Sequence, residues 1–146
     1  MTNFHKFHGG KAYHIKSYIH THLKDEHPDS VVIIAGGNDL PTGDYSLFVL
    51  TDISDDIIDA GLVCKEYGVK KVFISSILPR SSLYFQLHRK RLNDILREQC
   101  KINGFVFIEH RNFILRKHIG RDGVHLNALG STLLCKNLWY YLNGKD

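Results

Sequence analysis

Asp122-Gly-Val-His125 sets a carboxylate three residues ahead of an imidazole, with a glycine between them and a helix start directly behind. At that spacing the aspartate can accept the imidazole Nδ1–H and fix the tautomer, leaving Nε2 to take a proton from a hydroxyl. The chemistry is that of a general base with its orienter. The same residues could equally form a surface turn whose aspartate caps its own backbone. Two other loops answer the motif: Gly9-Gly10 and Gly36-Gly-Asn-Asp39. Glycines just after a strand let backbone N–H groups approach a developing oxyanion, and an asparagine amide is a further donor to it. His125 and Asp122 are therefore the candidate catalytic residues. Gly9, Gly36, Asn38 and Asp39 are the candidates for oxyanion or substrate binding.

The part still wanting for acyl transfer is a nucleophile. Ser75 and Ser76 end a strand, but Ile77-Leu-Pro79 follows them rather than a tight helix-opening turn. Their hydroxyls are expected to satisfy strand-end backbone. Ser17 falls in mid-helix. The ten histidines show no His-Glu-x-x-His, and His20 and His22, two apart on a helix, point to different faces. No metal and no cofactor are expected. Gly36-Gly37 could cradle a phosphate, but the Gly-x-Gly-x-x-Gly and Walker patterns are missing. The basic stretches His88-Arg-Lys-Arg91 and Arg111 to Lys117 are expected to be solvated faces. The functional alternative is weak polyanion binding through Arg89, Lys90, Arg91, Arg116 and Lys117, with affinity that falls as salt rises.

These loops need elements to carry them. A chain of 146 residues, 43% hydrophobic and 23% charged, has the length and composition of one globular domain and excludes disordered and fibrous classes. Its longest apolar runs, Val31 to Ala35 and Phe105 to Ile108, are far short of the roughly 20 residues that span a bilayer. The first eight residues contain no apolar signal core, so a soluble, cytoplasmic protein is expected. Cys64, Cys100 and Cys135 lie in step with apolar helix neighbours and are expected to be reduced core thiols.

Apolar residues recur at three and four from Lys11 to Glu26, from Tyr45 to Tyr67, from Leu83 to Ile102 and from Asn127 to Leu142, which predicts four amphipathic helices. The inner face of the third is drawn from Leu83, Leu87, Leu92, Ile95, Leu96 and Cys100. A short helix is expected within Arg111 to Lys117. Val31 to Ala35, Lys71 to Ser75 and Phe105 to Ile108 read as strands, with Phe4 to Phe7 a further strand end. The run Val31 to Ala35 is apolar on both faces, as in a strand inside a covered sheet. Strand and helix alternate, so the expected fold is α/β: one three-layer αβα domain, flavodoxin-like, with a mostly parallel sheet.

In such a sheet the site lies outside the carboxyl ends of the strands. With its loops placed there, the chain resembles the SGNH hydrolases, the GDSL-type lipases and esterases. Phe7-His-Gly9 resembles the family's second motif, Ile34-Ala-Gly36-Gly-Asn38-Asp39 its third and Asp122-Gly-Val-His125 its last. The resemblance implies ester hydrolysis, with Gly9 N–H and Asn38 as oxyanion donors, His125 as base and Asp122 as its orienter. The family's first motif, Gly-Asp-Ser, is absent from the chain. The central strand before it is expected to be missing too, leaving sheet edges that the N-terminal residues or another chain would have to fill. No useful esterase activity is expected from the chain as it stands. A non-enzymatic module binding nucleic acid or protein on a degenerate hydrolase scaffold is the alternative.

Overall fold

The computed structural model describes residues 10–40 and 47–144. Ala12–Leu23 forms α1, Ser30–Ile33 β1 and Leu47–Glu66 α2. Lys71–Ser75 is β2, Leu83–Asn103 α3, Val106–Ile108 β3, Leu115–His118 α4 and Ala128–Leu142 α5. A single 3-10 turn, Gly37–Asp39, lies between β1 and α2. The strand end expected at Phe4 to Phe7 and the candidate Gly9 fall outside the described residues.

The three strands are parallel in the order β1-β2-β3, in a register that sets Val31 beside Val72, Ile33 beside Ile74, and Ser75 beside Ile108. Side chains alternate across a strand, and here the alternation divides two cores. Ile33, Val72 and Ile74 face α1, α2 and α3, joining Leu50, Ile57, Ala60 and Cys64 of α2 and Leu92, Leu96 and Cys100 of α3. Each large aliphatic side chain so removed from water contributes roughly 1.5–3 kcal/mol. Phe73 and Ser75 point to the other face. There Ser75 reaches α5 through His110 and Asn137. Helices therefore lie on both sides of the sheet, and the α/β expectation holds.

Three sequence expectations need correcting. The strand read as interior, Val31 to Ala35, ends at Ile33 and is the edge of the described sheet; Val31 and Val32 are half-buried and Ile34 is exposed. The strand with both faces covered is β2, buried from Val72 to Ser75. The inner face of α3 is Phe85, His88, Leu92, Leu96 and Cys100, while Leu83 and Leu87 are exposed. Cys64 and Cys100 are buried, and burial pushes their thiols up to about 11 and about 12. Cys135, in contrast, is exposed on α5. That helix buries only Gly130 fully.

Candidate active site

The chain between α4 and α5 is clipped into a closed loop. Ile119 bridges Leu126 in antiparallel fashion, Gly120 N donates to His125 O at 2.7 Å, and Asn127 N donates to His118 O at 3.0 Å. Asn127 then caps α5, its Oδ1 accepting Gly130 N at 2.9 Å. Within this frame Asp122 acts twice. Its Oδ1 accepts the backbone N–H groups of Val124 and His125 at 2.9 and 3.0 Å. Its Oδ2 accepts from His125 Nδ1 at 2.5 Å. The turn and the base–orienter pair, which the sequence left as alternatives, coexist: one oxygen shapes the loop and the other aims the ring. The His125 ring N–H, followed by the two backbone donors, holds the Asp122 carboxyl well below the usual carboxylate range. With Nδ1 engaged, Nε2 is the free nitrogen, and the His125 side chain is 84% exposed.

Asn38 and Asp39 sit in the 3-10 turn after β1. Gly36 enters it at φ +99°, in the left-handed region, and a Cβ there would lie 2.8 Å from Ile77 Cδ1. Only glycine takes that conformation without strain. Asn38 Nδ2 donates to Gly10 O at 3.2 Å. Asp39 is occupied elsewhere. Both its oxygens accept Ala12 N, at 3.0 and 3.1 Å, and so close the start of α1. Burial raises its pKa even against that N–H and the charge of Lys11.

The loop after β2 joins the two halves. Arg80 Nη2 donates to Asn38 Oδ1 at 3.0 Å. Burial lowers the pKa of this guanidinium, and the charge of Asp122 opposes that effect. Its neighbour Ser81 donates its N–H to Gly123 O at 2.9 Å. Gly123, at φ +74°, fits against Ser81 so closely that a Cβ would come within 2.0 Å of Ser81 Oγ. Asn38 and the Asp122–His125 loop are thus gathered at one rim of the sheet by Arg80 and Ser81. Neither residue stands out in the sequence, because a loop arginine becomes informative only once its acceptor, 42 positions away, is known.

Ser75 and Ser76 behave as strand-end hydroxyls. Ser75 Oγ donates to Ser76 O at 2.9 Å and Ser76 Oγ accepts His110 N at 3.1 Å, all of it buried. The basic run on α3 does not share one face. His88 is buried, and Arg89 is turned inward, with Nη1 donating to Ile77 O at 3.2 Å and Nε to Gln86 Oε1 at 3.0 Å. Lys90, Arg91, Arg116 and Lys117 are exposed. No described helix is long and apolar enough to cross a membrane.

The described residues have an SGNH hydrolase-type α/β fold, and solved structures with that fold superpose on the chain. A GDSL-like lipase from Bacteroides thetaiotaomicron matches with a TM-score of 0.75 at 22% identity, over 92% of this chain and 72% of that one. The lipase/acylhydrolase from Enterococcus faecalis matches at 0.72 and 19%, over 94% and 72%. An acetyl xylan esterase matches at 0.75 and 18%, over 92% and 77%. No protein-family model and no curated protein matches the chain.

Proposed function

We propose that this chain carries the proton-transfer and oxyanion-binding side of an SGNH-type esterase or acyl hydrolase, and that without a Gly-Asp-Ser segment it turns over no ester by itself. The observation that carries the proposal is the His125 ring, held at Nδ1 by Asp122 with Nε2 open to solvent, at the rim it shares with Asn38. In the complete reaction a serine hydroxyl attacks the ester carbonyl and His125 Nε2 takes its proton. The tetrahedral oxyanion is met by Asn38 Nδ2 and Gly9 N–H, and the imidazolium then protonates the leaving alkoxide. The members of such a unit act together, so loss of the nucleophile alone removes several orders of magnitude in rate. The kinship of fold with lipases, acylhydrolases and an acetyl xylan esterase supports an acyl ester as substrate class.

A fluorophosphonate probe tests this. The chain is expected to remain unlabelled, and a version fused to a strand followed by Gly-Asp-Ser is expected to be labelled at that serine, dependent on His125. Labelling of the unfused chain at one of its own serines would overturn the inactivity. No labelling of a folded fusion, combined with salt-sensitive retention on heparin, would favour the binding-module alternative.

A further inference from the structure

The Asn38 carboxamide has two ends of nearly equal size and opposite chemistry, and only one of them can stabilise an oxyanion. Arg80 decides which end faces where. A guanidinium has five N–H donors and no acceptor, so the end of Asn38 that meets Arg80 Nη2 at 3.0 Å is the oxygen. The donor end then points away, toward Gly10 O at 3.2 Å. Arg80 itself is confined. Gly37 lies flat against it, since a Cβ there would be 2.8 Å from Nη2, and its guanidinium stacks 4.9 Å from the centroid of the buried Phe85 ring. The charge of Asp122, the orienter of His125, acts on the guanidinium and opposes the effect of its burial.

We propose that Arg80 is a positioning residue for the hydrolytic site: it locks the Asn38 carboxamide with its donor end toward the Gly10 side. The role assigned to the lock rests on the esterase function proposed above; the lock itself does not. Without Arg80 only the 3.2 Å hydrogen bond to Gly10 O sets the sense of the amide, and a turn about its last torsion presents oxygen to a developing oxyanion, which repels it instead of stabilising it. Arg80 contacts no reacting atom in this scheme and acts through Asn38.

The test reads the Asn38 side-chain amide directly, in the ¹⁵N-labelled chain, with Asn38→Ala assigning its pair of resonances. Arg80→Met keeps length and loses every donor. It is expected to shift the pair and speed its hydrogen exchange on the order of tenfold, as loss of one hydrogen bond implies. Arg80→Gln, which can offer an amide N–H to the same oxygen, is expected to restore part of the protection. Gly37→Ala displaces the guanidinium without removing it and is expected to reproduce the Arg80→Met change. It decides the matter should Arg80→Met fail to fold. An Asn38 pair unmoved by Gly37→Ala and by folded Arg80→Met, or moved equally by Arg80→Met and Arg80→Gln, would overturn the lock. A folded Gly-Asp-Ser fusion that takes no fluorophosphonate while the Asn38 pair responds as expected would sink the esterase reading and leave the lock standing.

Discussion

His110 and His125 lie fifteen positions apart, and each has a polar side chain at hydrogen-bond distance. His110 is 7% exposed and held at both nitrogens, by Ser75 Oγ at Nε2 and Asn137 Nδ2 at Nδ1, each at 2.9 Å. Ser75 uses its own proton on Ser76 O, so His110 Nε2–H is the donor to Ser75 and Nδ1 accepts from Asn137. That tautomer gives a proton to the serine and takes none from it. Burial matches the assignment, lowering the His110 pKa to about 4. His125 is arranged the other way: Nδ1 donates to a carboxylate, and Nε2 is open on an exposed ring. A serine beside a histidine is thus not by itself a nucleophile beside its base. The direction of the proton and access to solvent decide.

The sharpest way to break this contrast is to delete each ring in turn. His110→Ala removes a buried side chain, takes the ring donor from buried Ser75 Oγ and leaves Asn137 Nδ2 with Asn112 Oδ1 alone, so a loss of about 3 kcal/mol is expected, read as a lower denaturant midpoint at unchanged m-value. The pH dependence should follow the same residue. A histidine whose folded pKa is depressed stabilises the fold above its unfolded value, and that stability is lost as pH falls through the folded one. For His110 the window runs from 6.5 down to about 4, and the loss across it is on the order of 3 kcal/mol. Melting curves should show this slope in the native chain and lose it in His110→Gln. Asp122, also depressed, contributes above its unfolded value of 3.8 and loses that contribution only below it, so the two windows are separable. A smaller effect is expected at the junction of the two loops. Gly123→Ala forces a side chain into the left-handed region, for about 1–2 kcal/mol, and should weaken the Ser81 amide's protection from exchange. His125→Ala should change stability by no more than about 0.5 kcal/mol, since the ring is solvated. A large loss there would mean that His125 is as structural as His110.

How much of this was legible beforehand follows from which contacts are local. β2 runs over Lys71–Ser75 as expected, and α2, α3 and α5 begin or end within a residue or two of their predicted limits, because apolar spacing and turn residues are local signals. The Asp122–His125 pair was legible for the same reason: both partners lie within four residues. His110 was not. Its burial depends on Ser75 and Ser76, on another strand, and on Asn137 of α5, and nothing in Glu109-His-Arg111 announces them. Arg80 was hidden likewise, since its acceptor and its stacking partner lie on different elements. The misplaced Leu83 and Leu87 show a further limit. Helical period gives a stripe but not its phase at the helix start, where Phe85 and His88 face inward in place of Leu83 and Leu87.

The outward face of α5 has an optical consequence. Trp139 is the chain's single tryptophan and is 64% exposed, beside the exposed Tyr140. Its indole is already wet in the native state, so its emission is a poor gauge of denaturation. Any molecule that settled on that helix would shift the emission to the blue, so this fluorophore reports on company rather than on folding.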